Sequence, residues 1–213
     1  NNGLTIEDLA SFWQAIAKEF STFKNIYGYG LMNEPHDLTP ETSWFDMAQA
    51  SINAIREVDT NTLIMVGGND WSSAERWIEQ SDTLKFLKDP ANNLAFEAHV
   101  YFDKDASGTY KYSYEEEECY PEKGIDRVKP FVEWIKQNKF HGFIGEYGIP
   151  DNDPRWNETL DLFLGYLQEN GINGTYWAAG PWWDSYFMAI TPKDGKDRPQ
   201  MPIIEKYTST LKK

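Results

Sequence analysis

Only one cysteine, Cys119, occurs in the 213 residues, so no disulfide can form within the chain. Neither Cys-x-x-Cys nor His-Glu-x-x-His is present, and neither a metal site nor an organic cofactor is expected. No apolar run approaches the roughly 18 residues that cross a membrane, and no signal-peptide pattern opens the chain. No Gly-x-Gly-x-x-Gly begins a helix, which disfavours a dinucleotide fold. Cations are few: 20 Lys and Arg face 34 Asp and Glu, for a formal net charge of −14. That balance argues against nucleic acid or an anionic membrane surface as partner and suits a protein acting on a neutral polymer. The acidic run 115–118 reads as a solvated loop.

Aromatics, by contrast, are plentiful, with nine Trp and twelve Tyr. Aromatic rings stack on the flat apolar faces of sugars; most of these rings are nonetheless expected in a core. Strand-like and helix-like patterns alternate as βαβ units require. Apolar residues at helical spacing predict helices over 5–20, 41–58, 72–80, 122–138, 154–170 and 201–211. Thr5 is placed to cap the first of these, with Asp8 three residues on. Pro130 lies inside the fourth helix and should bend it or mark a late start. Short apolar runs predict five strands, over 26–32, 63–67, 94–101, 143–146 and 174–179. A long polar loop is expected over 103–121. No linker interrupts the chain, so residues 1–213 are expected to form a single domain.

The chemistry concentrates where strands end. In Leu31-Met-Asn-Glu-Pro35 an apolar strand runs into Asn33 and Glu34, and Pro35 keeps the strand from continuing. Alone, Glu34 reads more often as a solvated loop residue than as a catalytic one. The stretch Ile144-Gly-Glu-Tyr-Gly148 repeats the design and places Glu146 at a second strand end. Two strands that each end in a Glu supply the two carboxylates that cleavage of a glycosidic bond needs: one protonates the leaving oxygen, the other attacks the anomeric carbon or activates water. His99 and Tyr101 are two apart on one strand and therefore share a face.

These two motifs, in this order, resemble the acid/base and nucleophile motifs of glycoside hydrolase family 5. The segments around Gly68-Asn-Asp-Trp71, Asp103 to Thr109 and Lys196 to Met201 are similar to its cellulase-like subgroup. The resemblance implies a (β/α)8 TIM barrel, of which this chain covers about strands four to eight, with strands one to three absent. It implies a retaining endo-β-1,4-glucanase with Glu34 as acid/base and Glu146 as nucleophile; a β-mannanase, a mixed-linkage glucanase or a non-catalytic glucan-binding partial barrel are the alternatives. It also implies that Asn33 contacts the reacting sugar, that the Tyr101 hydroxyl holds the nucleophile, that His99 helps hold the substrate or the acid, and that Trp177 is the platform under the sugar. Asn69 and Trp71 become substrate-binding candidates; Trp182 and Trp183 fit a platform or a packing role equally. The family also places an Arg and a His on its early strands, and no motif here stands in for them. A β-glucan is the implied partner, together with an N-terminal fragment of the same barrel or another copy of the chain. A secreted or periplasmic location follows from the family.

Overall fold

The computed structural model describes residues 5–38 and 43–208. Its strands are β1 (Gly28–Gly30), β2 (Leu63–Gly67), β3 (Leu94–Tyr101), β4 (His141–Gly148) and β5 (Asn173–Tyr176). They run parallel in one sheet in chain order. The helices are α1 (Ile6–Phe20), α2 (Trp44–Arg56), α3 (Asn69–Ser72), α4 (Trp77–Ser81), α5 (Lys123–Asn138), α6 (Arg155–Glu169) and α7 (Met201–Tyr207). Single 3-10 turns span Asp82–Phe86 and Pro181–Trp183. The contacts divide into two compact units, residues 1–98 with 133–143 and residues 99–132 with 144–213. The chain passes from one unit to the other within β3, α5 and β4.

In the first unit α1 starts as its sequence predicts. Thr5 Oγ1 accepts from the Asp8 backbone N–H, and the Asp8 carboxylate accepts from the Thr5 N–H, a reciprocal capping box. Leu9, Trp13 and Ala17 face inward, whereas Phe12 and Phe20 are exposed. α2 buries Trp44, Met47, Ala48, Ile52 and Ile55; positions 41 and 42, expected to begin it, lie outside the described residues. Two helix tryptophans hold the strand ends: Trp13 Nε1 donates to Leu31 O at 3.0 Å and Trp44 Nε1 to Gly67 O at 2.7 Å. β1 pairs with β2, and β2 with β3, in parallel register. Trp77, Phe96, Trp134 and Phe140 meet edge-on or tilted in the core.

The second unit is built on β4 and α6. Trp156, Leu160, Phe163 and Leu167 of α6 are buried, with Phe163 against Phe102 and Tyr147. Tyr110 and Tyr114 pack edge-on against Trp156. β4 and β5 approach closely at their ends: Trp177 N donates to Tyr147 O at 2.8 Å, and a Cβ on Gly148 would lie 2.3 Å from Trp177 O. Only glycine fits there. α5 runs through Pro130, having begun at Lys123.

The strands differ from their predicted spans at the ends. β1 has three residues where 26–32 was expected, because Leu31 is the last residue of this stretch to donate to β2 (Leu31 N to Met65 O) before the chain turns away. β4 extends past both ends of 143–146, and β5 stops before Trp177. Of the helix predicted over 72–80 only 77–80 is helical, in α4; Ser72 closes a left-handed turn, since Asp70, Trp71 and Ser72 all take positive φ, which a right-handed helix does not pass through.

Candidate active site

Each unit carries a group of candidate side chains at or just past the C-terminal ends of its strands. In the first unit the chain leaves β1 through Leu31, which is buried, and turns at Asn33, which is exposed, and Glu34, which is half-buried. Glu34 has φ 46°. A left-handed glutamate is sparsely populated, and a residue held there by its surroundings marks a constrained carboxylate rather than a free loop end. Beside it the Gly68–Ser72 turn carries three consecutive left-handed residues, φ 54°, 56° and 56° at Asp70, Trp71 and Ser72. Trp71 N donates to Pro35 O at 3.4 Å, and the Asp70 carboxylate pairs with Arg76. The Trp71 ring is 43 % exposed and lies parallel to His36, centroids 4.5 Å apart at 14°. His36 Nδ1 is 3.0 Å from Asp37 Oδ2. Asn69 braces the turn from within, since its N–H donates to Ser81 Oγ and its side-chain NH2 to Gln80 O, both at 2.9 Å.

In the second unit three side chains meet. Tyr101 Oη donates to Glu146 Oε2 at 2.7 Å, and His99 Nδ1 is 3.6 Å from that same oxygen. His99 and Tyr101 are buried and Glu146 is half-buried. The alternation of β3 puts both residues on the Glu146 side, as their spacing predicts. A further residue, unmarked by any sequence pattern, lies near Glu146. The Tyr186 phenol is raised from its ordinary pKa by burial and also by the negative charge of Glu146, although a hydrogen bond with Trp177 works the other way. Tyr186 sits in an aromatic loop without strand or helix periodicity, so nothing in the sequence singles it out.

Trp177 follows β5, half-buried, with its ring edge-on to Trp183 at 4.8 Å. Trp183 in turn is tilted against Tyr186, whereas Trp182 is 89 % exposed. The two adjacent tryptophans therefore divide: Trp183 packs and Trp182 stands in solvent. Of the nine Trp, five are buried core residues, namely Trp13, Trp44, Trp77, Trp134 and Trp156.

Comparison with known proteins finds relatives of this chain in both sequence and fold. The family model described as cellulase, glycosyl hydrolase family 5, matches residues 1–182. Endo-beta-1,4-glucanase B of Emericella nidulans is 36 % identical over 193 residues, which are 88 % of this chain and 56 % of that protein. The crystal structure of Pseudomonas stutzeri endoglucanase superposes with a TM-score of 0.90 at 40 % identity, covering 99 % of this chain and 64 % of that one. The same enzyme in complex with cellobiose gives a TM-score of 0.90 at 42 % identity, over 97 % and 62 %. The chain thus spans less than two-thirds of the length of these relatives, and its five parallel strands are part of a (β/α)8 barrel. Among the described residues no helix is long and apolar enough to cross a membrane.

Proposed function

The chain belongs to glycosyl hydrolase family 5, and from that premise we propose that it is the catalytic part of a retaining endo-β-1,4-glucanase acting on cellulose or a related β-glucan. The observation that carries the reading is the 2.7 Å hydrogen bond from Tyr101 to Glu146. A bond donated to a carboxylate favours its ionised form and fixes one oxygen, leaving the other to attack. Glu146 attacks the anomeric carbon and forms a glycosyl ester while Glu34, protonated, gives its proton to the departing glycosidic oxygen. Glu34, now a carboxylate, takes a proton from water; the water oxygen bonds to the anomeric carbon and Glu146 leaves. Asn33 bonds a sugar hydroxyl, His99 holds substrate or acid, Trp177 is the platform under the reacting sugar, and Asn69 and Trp71 bind substrate. In this reading the enzyme works outside the cell.

Two experiments test this. Glu34→Ala should lose activity on cellulose, whose leaving group needs a proton, by about 10²–10⁴-fold, and much less on an activated aryl cellobioside. Equal losses on both would remove Glu34 from the acid role. A crystal structure should place the Glu34 and Glu146 carboxyls about 5–5.5 Å apart; more than about 6.5 Å would point to inversion.

A second reading is favoured by the partial span: a barrel portion that works only in company. We propose that an N-terminal segment of the same barrel covers the edge strands β1 and β5, with another copy of this chain as second choice. Beside β5 the second unit has a cavity of ≈ 770 Å³ lined by Leu164, Leu167, Ile172, Ile190, Ile204 and Tyr207. An unpaired strand edge next to apolar side chains is a surface that takes up another strand. Reducing-sugar release from carboxymethyl-cellulose, with and without the added segment, separates the readings. A monodisperse monomer that unfolds sharply and hydrolyses glucan alone would overturn the need for company.

A further inference from the structure

The loop after β3 folds back on the residue that holds Glu146. Asp103, fully buried, accepts four hydrogen bonds through its carboxylate: from Ser107 Oγ at 3.1 Å, Gly108 N at 3.1 Å, Thr109 N at 3.0 Å and Tyr110 N at 3.3 Å. Within this turn Ala106, Gly108 and Tyr110 are left-handed, with φ 60°, 72° and 42°. The turn ends by bridging two strand ends. Tyr110 Oη accepts from Phe102 N at 2.9 Å and donates to Gly148 O at 2.6 Å, joining the residue after Tyr101 to the end of the strand that carries Glu146. Burial raises the Tyr110 phenol well above its ordinary pKa, which keeps it a donor. Between these anchors Gly108 lies on the Tyr101 ring. A Cβ on Gly108 would stand 2.9–3.0 Å from three ring atoms, Cδ1, Cε1 and Cγ. The Tyr101 ring is buried, edge-on to Tyr110, and its backbone carbonyl accepts from Arg127.

We propose that the Asp103–Tyr110 turn is a positioning device for Glu146: Asp103 and Tyr110 press Gly108 against the Tyr101 ring, and the ring's hydroxyl orients the carboxylate. Three contacts carry this. The Asp103 carboxylate sets the turn, the bare Cα of Gly108 sets the ring plane, and Tyr110 sets the distance between the ends of β3 and β4. The ring has its bond to Glu146 at one end and the glycine along its flank, so displacing the flank moves the hydroxyl. The inference rests on Glu146 being the nucleophile, and its test is read both with and without turnover.

The test uses the whole chain with tyrosine labelled at Cζ, whose chemical shift reports the hydroxyl's hydrogen bond; Tyr101→Phe assigns the resonance. Gly108→Ala and Gly108→Asn add the same Cβ, but Asn tolerates the left-handed backbone better than Ala. Both variants should move the Tyr101 resonance towards that of a free phenol by similar amounts, although Ala lowers the melting temperature more. On an activated aryl cellobioside kcat should fall by about 10- to 100-fold, as for a reacting group moved by a fraction of an ångström to an ångström, with KM little changed. Asp103→Asn keeps the residue's shape and removes part of its acceptor capacity; it should shift the same resonance less, and it stands in if the Gly108 variants do not fold. Folded variants with the wild-type resonance, or a shift that follows melting temperature rather than the added Cβ, would overturn the proposal. A wild-type chain that stays inactive even with the N-terminal segment added, yet shows the expected resonance shifts, would instead overturn the glucanase reading and leave the turn's role standing.

Discussion

The two units bury their polar networks at opposite ends of their strands. In the first unit the network lies where strands begin. Arg56, just before β2, donates from Nε and Nη2 to the two oxygens of Asp89 at 2.7 and 3.0 Å, and from Nη1 to Asp59 O and Thr62 O at 3.0 and 2.9 Å. Asp59 accepts from Tyr29 Oη, from Asn61 N and Thr62 N, and from Thr62 Oγ1. In the second unit the network lies where strands finish. Asp103 and Tyr110 tie the ends of β3 and β4, Gln200 donates to Ile149 O, and Arg198 pairs with Asp151 at 2.6 Å. In barrels of this class the C-terminal ends of strands carry the chemistry and the N-terminal ends serve stability. Damage to the first network should therefore be read in folding, and damage around the second in turnover.

The largest expected effect is on turnover. Glu146→Gln keeps the size and the capacity to accept from Tyr101, but an amide oxygen does not attack the anomeric carbon. Activity should fall on the order of 10⁴-fold or more, while the melting temperature stays near that of the wild type. Initial rates on carboxymethyl-cellulose beside a thermal melt check both halves. A large loss of stability would show that the second network serves the fold, and the contrast would collapse.

Next in size is the opposite pattern at Arg56. Its side chain and that of Asp89 are 4 % and 1 % exposed. Burial alone would raise the Asp89 carboxyl, yet the Arg56 guanidinium and the N–H groups of Asn93 and Ala91 hold it below its ordinary value. Arg56→Ala strands that charge inside the protein and should cost about 3–5 kcal/mol. Denaturant unfolding measures the loss, and activity per folded molecule should be unchanged. Arg56→Lys should recover only part, since an ammonium cannot span both Asp89 oxygens.

The asymmetry also explains what the sequence disclosed. Helices α1, α2, α5 and α6 were readable from their apolar spacing, and Thr5 with Asp8 from the cap alone. Strand tips were readable because polar and proline residues follow apolar runs abruptly, as at Asn33-Glu34-Pro35. What stayed hidden depends on backbone in unusual regions or on distant partners. Asp70-Trp71-Ser72 carries no glycine to announce three left-handed residues, so Ser72 reads as the start of a helix when it closes a left-handed turn. Tyr110 and Tyr186 sit in loops without periodicity, and only the folded chain brings them to the strand ends. Arg56 and Asp89, 33 positions apart, look like ordinary surface charges until burial pairs them.

The smallest of these effects is the most specific test of the first network. Burial works to raise the Asp59 carboxyl, but hydrogen bonds from the Thr62 hydroxyl and N–H, the Asn61 N–H and Tyr29 outweigh it and lower the pKa to about 2. An ordinary aspartate titrates at 3.8, so the folded state holds the ionised form more tightly than the unfolded chain does. The resulting stability is fully present above about pH 4 and is lost as pH falls through about 2; it amounts to about 2 kcal/mol. Other carboxyls titrate in the same window, so the wild-type curve alone does not isolate Asp59. The difference between wild type and Asp59→Asn does, because the other groups are common to both. That gap should be about 2 kcal/mol near pH 6, narrow through pH 4 to 2, and nearly vanish below. Catalytic rate per folded molecule should be the same in both proteins at every pH where both are folded. A gap independent of pH would mean that Asp59 acts by shape and not by charge, and the first network would then be held by Arg56 and Asp89 alone.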